Sequence, residues 1–537
     1  MNESQPMRVL VTEPLAAAGL MRLREQVEAD EKFELGAEEL LEVINSYDAL
    51  IIRSATQVDQ KLLEHASKLK VVGRAGIGLD NVDVDACTRR GIVVVNAPQS
   101  NVLSAAEHTF ALMLAQARNV PQAHASLIKG SWARERYQGV ELHAKTLGIV
   151  GLGRVGTLVA QRATAFGMRL VAYDPYISQT RAAQVGVEML TSVQEVVERA
   201  DFLTIHLPRT KETIGIISAK ELAWAKPGLR IINTARGGLI DENALADAIE
   251  QGQISGAAID VFEDEPVTDH RLFDLPEVVV TPHLGASTQE AQDKAGTAIA
   301  EQVLLALRGE FAPYAVNLEV GPDIPEAVRA FLGLAARLGR VAVALAGSGV
   351  DCLRFEYYGR IAEHDTRALT LAGLRGAFSA VVHEPVTFVN APLIARDRGV
   401  SVEEWRSSES HDYVNLVEVH ALCRNEEVSV AGVLVGKRND ERLVRAYGYE
   451  LDTAFSPIMV MFRYEDRPGI VGIVGGLMGR ARVNIASMQV ARLSEGGEAL
   501  MTMSVDSPIP DGVLDEIVAQ AKMRDARLIV LGPADLK

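Results

Sequence analysis

The chain has 537 residues, which is long enough for several domains of ordinary size. Its apolar fraction of 48% and charged fraction of 23% are ordinary for a soluble globular protein, and its formal net charge of -17 counts against binding to nucleic acid or to an anionic membrane surface. The cysteines lie far apart and show no metal-ligand spacing, and no apolar stretch is long enough to span a bilayer. We therefore expect a reduced, cytoplasmic chain without a metal.

The first region, from Met7 to about Pro98, alternates short apolar runs with stretches of helical pattern. The apolar runs are MRVLVT, DALIIRS, LKVVGRAG and GIVVVNAP. Strands spaced in this way, with helices between them, indicate a parallel sheet. The sequence therefore predicts a first α/β lobe.

A second α/β series begins after the long helical stretch SAAEHTFALMLAQARNV. Its predicted strands are TLGIVG, RLVAYD, DFLTIHLP, LRIINTARG, GAAIDVF and VVVTPHLG. Ligands of open parallel sheets bind outside the carboxyl ends of the strands. Two such lobes predict a cleft between them that takes a small molecule.

The second lobe opens with the glycine pattern Gly151-Leu-Gly153-Arg-Val-Gly156, placed between a predicted strand and a predicted helix. This is the context that a dinucleotide fingerprint requires, since the glycines permit a tight turn and close approach of the pyrophosphate. The next predicted strand ends in Asp174. A carboxylate there accepts hydrogen bonds from the ribose of NAD and repels the extra phosphate of NADP. The predicted cofactor is therefore NAD.

Three polar residues stand at predicted strand ends of the second lobe: Arg236, Glu265 and His283. Hydride transfer from a 2-hydroxy acid needs a cation for the carboxylate, a base for the hydroxyl proton and a group that orients the base. Each residue alone is also consistent with an ordinary structural role, as a surface ion pair, a solvated acid or a core histidine. Together, downstream of an NAD fingerprint, they favour a catalytic set.

The motifs GLGRVG, INTARGG, AIDVFEDEP and TPHLGAS occur in the order found in the D-isomer-specific 2-hydroxyacid dehydrogenases, and the chain resembles that family. The resemblance implies an NAD-dependent oxidoreductase that acts on a CH–OH group, with Arg236, Glu265 and His283 as its catalytic residues. It also implies a set of cofactor contacts, which comprises Gly151, Gly153, Arg154, Val155, Gly156, Asp174, Thr234, Ala235, Arg236, Asp260, His283, Gly285 and Ala286.

Within the family, the stretches IIRSATQVD, GRAGIGLDNVD and NAPQSNVLSAAEHTF resemble the long branch that oxidises 3-phosphoglycerate in the first step of L-serine biosynthesis. By this resemblance the substrate faces Arg53, Ser54, Arg74 and Asn101, while Arg134 reaches the site of a neighbouring subunit in a homotetramer. A phosphorylated acid carries two anionic ends, and one arginine cannot hold both.

The segment after Pro457 reads βαββαβ and resembles the ACT domain, a ferredoxin-like fold that binds small amino acids. The resemblance places effector contacts at Asp466 and Asn484 and implies feedback regulation by L-serine. An alternative stays open, in which Asp466 only caps the following helix. The preceding region resembles the intervening domain of the long enzymes, which can bind an anion, but its basic residues alternate with acids and we assign no anion site there.

The predicted fold is α/β, with two Rossmann-like or flavodoxin-like lobes that contain parallel sheets, then an α+β intervening domain and a ferredoxin-like ACT domain. The predicted limits are 1–98 plus 286–317 for the substrate-binding domain, 99–285 for the NAD-binding domain, 318–455 for the intervening domain and 456–537 for the regulatory domain.

Two other functions remain open at this stage. One is a different specificity, such as reduction of 2-oxoglutarate, glyoxylate or hydroxypyruvate, against which Arg53, Arg74 and the effector domain count. A formate dehydrogenase is disfavoured because those relatives place an amide at the position of Glu265. The other function is that of an NAD-sensing, corepressor-like interaction protein. The Arg-Glu-His set does not exclude this role, but the ACT-like tail disfavours it.

Overall fold

The computed structural model describes residues 6–531 apart from residues 319, 322–323, 348, 380, 383–384, 411, 425 and 495. Within these residues the chain forms four sheets, each built from one continuous part of the sequence. The first two sheets position the candidate site, because their strands end at a shared cleft.

The first sheet has five parallel strands in the order β2-β1-β3-β4-β5. The strands are β1 (Arg8–Val11), β2 (Glu28–Glu31), β3 (Ala49–Ile52), β4 (Val71–Arg74) and β5 (Val93–Val95), and the helices between them are α1 (Ala17–Arg24), α2 (Ala37–Val43), α3 (Gln60–Glu64) and α4 (Val84–Arg89). Four of these strands coincide with the predicted apolar runs. The remaining strand, β2, was not predicted, because its sequence EADE is polar and it lies at the edge of the sheet.

The second sheet has seven parallel strands in the order β12-β11-β10-β9-β6-β7-β8. The strands are β6 (Thr146–Val150), β7 (Arg169–Tyr173), β8 (Glu188–Met189), β9 (Phe202–Ile205), β10 (Arg230–Asn233), β11 (Gly256–Ile259) and β12 (Val278–Val280). The helices are α5 (Val102–Ala117), α6 (Val120–Ile128), α7 (Arg154–Ala165), α8 (Gln179–Ala183), α9 (Val193–Arg199), α10 (Ala219–Leu222) and α11 (Glu242–Glu250). The strand order reverses at β6, which creates the crevice where α/β sheets bind ligands.

After the second sheet, the long helix α12 (Gln289–Leu307) returns to the first sheet. Its side chains Ile299, Val303 and Leu304 are buried in one core with the strands of that sheet. The chain therefore crosses between the lobes twice, once before α5 and once before α12. This arrangement places the loop after β12 at the junction of the two lobes.

The third sheet follows the order β14-β13-β15-β16-β17-β18, with strands β13 (Val350–Gly359), β14 (Ser401–Ser407), β15 (Asn415–Cys423), β16 (Glu426–Val435), β17 (Asp440–Ala446) and β18 (Tyr449–Ala454). The helices of this region are α13 (Glu326–Arg329), α14 (Leu332–Ala346), α15 (Arg367–Ser379) and α16 (Ala391–Asp397). Apolar side chains of α14 and α15 share one core with alternate residues of β13 and β15, such as Phe355 and Val417. The helices therefore cover one face of a mainly antiparallel sheet.

The last sheet is antiparallel, in the order β20-β21-β19-β22. Its elements are β19 (Ile458–Glu465), α17 (Ile470–Arg480), β20 (Ile485–Arg492), β21 (Glu498–Val505), α18 (Val513–Ala521) and β22 (Asp525–Val530), which is the predicted βαββαβ order. The predicted fold class is confirmed in all four parts. Among the described helices, none combines the length and the hydrophobicity that crossing a membrane would need.

Candidate active site

A cavity of about 750 Å³ lies where the two α/β lobes meet. Both lobes contribute predicted site residues to its lining, namely Arg53, Ser54, Arg74 and Asn101 from the part of the chain before α5, and Arg236, Glu265, His283 and Ala286 from the part after α7. The structure thus brings together side chains that are more than two hundred positions apart in the sequence. A cavity of this size fits a small substrate beside part of a dinucleotide.

The glycine turn after β6 has the geometry that a phosphate cradle needs. Gly151 has φ = 95°, a conformation that side chains rarely adopt, and a Cβ there would lie 2.5 Å from the carbonyl oxygen of His206. A Cβ on Gly156 would collide with the carbonyl of Gly151, so the helix packs directly on the turn. Gly153 precedes the first residue of α7, and nothing lies within 4 Å of its missing side chain. The amides at the start of this helix are therefore open to an anion.

Asp174 follows β7 and is tied to the glycine turn. One of its carboxylate oxygens accepts the N–H of Leu152 at 2.8 Å, and the other accepts the N–H of Tyr176 at 2.9 Å. The carboxylate is therefore fixed beside the turn, at the position where a ribose would lie in a dinucleotide bound as the fingerprint predicts. Arg154 and Val155, also predicted to contact the cofactor, form the first residues of α7.

The turn after β10 presents Arg236 to the cavity. Its shape depends on Asn233, whose amide donates to the carbonyl of Arg236 at 2.9 Å and whose side-chain oxygen accepts the N–H of Ala235 at 3.0 Å. Thr234 is buried and shares a hydrogen bond of 2.7 Å with the hydroxyl of Thr109 on α5. The arginine therefore projects from a rigid turn at a strand end.

Glu265 and His283 form a close pair. His283 Nδ1 lies 2.6 Å from one oxygen of Glu265, and the other oxygen accepts the N–H of Phe262 at 2.9 Å. Burial alone would raise the pKa of the Glu265 carboxyl, but these hydrogen bonds outweigh it and hold the pKa below its ordinary value. An ionised carboxylate can only accept, so the proton of the neutral imidazole is on Nδ1 and Nε2 is free to act as a base.

Asp260 holds the loop that carries His283. Its carbonyl accepts the N–H of His283 at 2.8 Å, and its two carboxylate oxygens accept the N–H groups of Leu284 and Gly285 at 2.7 and 2.9 Å. Burial raises the pKa of Asp260, but donors that include the side chain of His108 lower it below its usual range overall. Asp260 therefore acts as a buried anionic anchor for the loop.

The cavity carries two arginines, Arg53 and Arg74, that form no close ion pair in the described part of the chain. Among the described residues, no carboxylate oxygen lies within 4 Å of the guanidinium of Arg53 or Arg74, and Arg74 Nε is buried without a hydrogen bond. Burial and the proximity of Arg236 lower the pKa of Arg74, although the nearby carboxylates of Asp80 and Glu13 act in the opposite direction. Arg236 itself lies 3.6 Å from Asp80, which comes from the other lobe. The site is therefore built to receive an anion.

The lining also includes polar residues that were not predicted, such as Asp80, Arg209 and Gln292. Arg209 shortly follows β9, so the rule that ligands meet strand ends would have found it. Gln292 lies in the first turn of α12, and Asp80 lies in the loop after β4. Neither has a local sequence signal, because each reaches the cavity only through the packing of one lobe on the other.

The remaining predicted site residues lie outside this cavity. Arg134 is on the short 3-10 turn Arg134–Tyr137 and does not line the cavity of its own chain. Asp466 accepts a hydrogen bond of 3.1 Å from Arg492, and Asn484 donates one of 2.5 Å to Asp506. Helix α17 has Gly469 as its N-cap residue, and among the described residues the hydrogen-bond donor to the Asp466 carboxylate is Arg492 and not an amide of the helix, which counts against the alternative of a helix cap.

Comparison with known proteins agrees with this geometry. Residues 110–285 match the NAD-binding domain of D-isomer-specific 2-hydroxyacid dehydrogenases, residues 327–446 match the D-3-phosphoglycerate dehydrogenase intervening domain, and residues 458–521 match the ACT domain. The chain is 48% identical to D-3-phosphoglycerate dehydrogenase of Mycobacterium tuberculosis over 512 residues, which cover 95% of this chain and 97% of that one. The chain belongs to the D-3-phosphoglycerate dehydrogenase family. Its predicted family, its predicted cofactor NAD and its class as an NAD-dependent oxidoreductase are thereby confirmed.

Other relatives and solved structures extend the comparison. D-3-phosphoglycerate dehydrogenase of Methanocaldococcus jannaschii is 42% identical over 528 residues, which cover 98% of this chain and all of that one. A solved structure of a Thermus thermophilus protein matches 58% of this chain and 100% of its own, with 35% identity and a TM-score of 0.54. A D-lactate dehydrogenase from Aquifex aeolicus, complexed with NAD and lactic acid, matches 56% of this chain and 96% of its own, with 25% identity and a TM-score of 0.51. The structural matches cover about half of the chain.

Proposed function

We propose that the protein oxidises 3-phospho-D-glycerate to 3-phosphohydroxypyruvate with NAD, the first step of L-serine biosynthesis. The observation that carries this proposal is the Glu265–His283 base in one cavity with Arg53 and Arg74, two arginines that form no ion pair within 4 Å among the described residues. A simple 2-hydroxy acid such as lactate has one anionic group, which Arg236 can bind, and it would leave Arg53 and Arg74 without an anion. The names of the relatives support the same substrate.

In this mechanism Arg236 binds the substrate carboxylate through its planar guanidinium. Arg53 and Arg74, with Asn101, bind the phosphate at the other end of the three-carbon chain. These contacts place the C2 hydroxyl near His283, whose free Nε2 takes the hydroxyl proton. The Glu265 carboxylate stabilises the imidazolium that forms and keeps the ring in one orientation. In the reverse direction the same imidazolium returns the proton to the carbonyl oxygen.

The residues present fit NAD. The open amides at the start of α7 suit the pyrophosphate, and Asp174 suits the ribose hydroxyls. Thr234, Asp260 and Gly285 follow β10, β11 and β12, at the same edge of the parallel sheet as the glycine turn. When bound, NAD accepts the hydride that leaves C2 of the substrate.

The test of this proposal is a substrate panel. Purified protein with NAD is expected to form NADH from 3-phosphoglycerate, and much more slowly from D-lactate, D-2-hydroxyglutarate and D-glycerate. A preference for 2-hydroxyglutarate would assign another specificity within the family. No turnover of any 2-hydroxy acid would instead support the NAD-sensing role.

We also propose the predicted domain limits, with substrate binding by 1–98 plus 286–317, NAD binding by 99–285, an intervening domain at 318–455 and a regulatory domain at 456–537. The packing of α12 on the first sheet supports the split first domain. The regulatory domain would bind L-serine, with Asp466 facing the ammonium group. Because Asp466 is paired with Arg492, the ammonium group would have to replace this guanidinium.

The protein is further proposed to be a homo-oligomer, a tetramer by its family resemblance. Helix α6 has no buried residue, and apolar side chains on it and just after it are largely exposed, with Ile128 at 72% and Trp132 at 82%. An apolar surface of this kind is typical of a subunit interface. Arg134 lies two residues after Trp132 in the sequence, beside this apolar surface, which supports a role of Arg134 in a neighbouring subunit's cavity. The molar mass from light scattering is expected to be that of a multimer.

A further inference from the structure

The loop that follows β3 is closed around one carboxylate, that of Glu13. The backbone N–H groups of Arg53, Ser54, Ala55 and Thr56 all donate to it, at distances of 2.8 to 3.2 Å. Consecutive N–H groups that point to one spot form a concave anion site. Here the chain fills that site itself. Burial raises the pKa of Glu13, but the four backbone donors outweigh burial and the pKa is lower than usual.

The carbonyl side of the same loop is also fixed. The Asn81 amide donates to the carbonyl of Arg53 at 3.0 Å and to that of Thr56 at 2.6 Å. The hydroxyl of Thr56 shares a hydrogen bond of 2.8 Å with that of Thr12. With its backbone donors and acceptors held in this way, the loop offers the cavity the side chains of Arg53 and Ser54.

We propose that Glu13 is a positioning residue for substrate, which holds the loop Arg53–Thr56 so that Arg53 faces the phosphate. This inference rests on the proposed function. The positioning role predicts that removal of the Glu13 charge weakens substrate binding, whereas simple electrostatics predicts that it strengthens substrate binding. Glu13 is negative and adjoins the cavity-lining residue Pro14, so loss of its charge alone would strengthen binding of an anion. Loss of the loop geometry would weaken it.

The test is Glu13→Gln, which keeps the size of the side chain but replaces one acceptor oxygen by an NH₂ group that cannot accept. The KM for 3-phosphoglycerate is expected to rise about 10-fold, the loss of roughly one charge-assisted contact. The kcat and the KM for NAD are expected to change less than about twofold, because the base and the glycine turn are untouched. Hydrogen exchange of the amides of residues 53–56 is expected to accelerate, without a general increase elsewhere.

The matched control is Glu39→Gln in the same lobe. Glu39 also accepts a backbone N–H, from Gly36 at 2.9 Å, but it is exposed and does not line the cavity. The Glu39→Gln variant loses the same charge, and its KM for 3-phosphoglycerate is expected to equal that of wild type.

Each other outcome decides a separate point. An unchanged or lower KM in Glu13→Gln would overturn the positioning role, and unchanged exchange at residues 53–56 would overturn the proposed hold on the loop. A joint decrease in kcat, NAD affinity and thermal midpoint in Glu13→Gln would also overturn the positioning role, because it would indicate general destabilisation of the protein. If wild type formed no NADH from 3-phosphoglycerate, the proposed function would fail, and the exchange rates would still decide whether Glu13 holds the loop.

Discussion

At the scale of single residues, His283 has a backbone conformation that few residues other than glycine adopt, with φ = 54°. Such a conformation costs on the order of 1–3 kcal/mol and persists only where the surroundings enforce it. Here the surroundings are three hydrogen bonds to Asp260, which fix the backbone of His283, Leu284 and Gly285. In this backbone conformation the imidazole contacts Glu265 and lines the cavity.

The role of His283 as a base predicts a large effect on turnover. His283→Ala is expected to lower kcat by roughly 100- to 10,000-fold, the usual range for loss of general acid–base catalysis. The dissociation constant of NAD, measured by calorimetry, is expected to stay nearly the same because the glycine turn and Asp174 are intact. A variant that keeps full turnover would show that another group takes the proton.

The role of Glu265 predicts a change in pH dependence. Its lowered pKa keeps it ionised at neutral pH, so in wild type a full negative charge stabilises the imidazolium. Glu265→Gln removes that charge, so protonation of the base requires a lower pH and the acidic limb of the kcat/KM profile is expected to move to lower pH. The maximal rate is expected to fall as well, because the transition state is less stabilised. An acidic limb at the same pH in both proteins would remove Glu265 from the catalytic set.

Asp174 predicts cofactor choice. Asp174→Ala removes the carboxylate that would bind the ribose hydroxyls and repel a 2′-phosphate, so NAD binding is expected to weaken and discrimination against NADP to relax. The measurement is the ratio of kcat/KM for NAD and NADP. Asp174 also accepts the N–H of Leu152 in the glycine turn, so its loss could destabilise the fold. An unchanged thermal midpoint of the variant is therefore the control that separates cofactor binding from stability. A wild-type preference for NADP would contradict the placement of this residue.

At the scale of elements, the apolar strands of the first two sheets were predictable, whereas two polar or short strands of those sheets and the individual strands of the third sheet were not. Strands β2 and β8 lie at sheet edges, where backbone pairing suffices and no apolar pattern is required. The entire βαββαβ order of the last segment was predictable, since apolar side chains of its strands are buried in a shared core. Residues whose role depends on contact between distant elements, such as Glu13 and Asp80, had no signal in the sequence.

The regulatory element carries its own prediction. L-serine is expected to bind the full-length protein and to slow turnover, because its ammonium group can replace Arg492 as the partner of the Asp466 carboxylate in the ferredoxin-like segment. Asp466→Ala is expected to abolish the serine-dependent heat in calorimetry and the inhibition, while activity without serine is unchanged. Serine binding of equal strength in both proteins would remove Asp466 from the site, and its absence in wild type would remove serine as the effector.

At the scale of the whole molecule, the chain is acidic overall, yet the cavity between the two α/β lobes is lined by several arginines. Arginines from both lobes line it, so an anionic substrate would contact the two lobes at once. Such a substrate stabilises the arrangement in which both sets of contacts form. The ion pair between Asp80 and Arg236 already links the lobes across the cleft, and a substrate carboxylate would compete with Asp80 for Arg236.

The most direct test of the central claim, selection of a phosphorylated 2-hydroxy acid by this cavity, is the ratio of kcat/KM for 3-phosphoglycerate to that for D-glycerate. Wild type is expected to favour the phosphorylated acid strongly. Arg74→Met is expected to reduce the ratio by about 10- to 100-fold, the effect of losing one charge-assisted contact, while the rate with D-glycerate is maintained. A wild-type ratio near one, or a ratio that Arg74→Met leaves unchanged, would contradict the account.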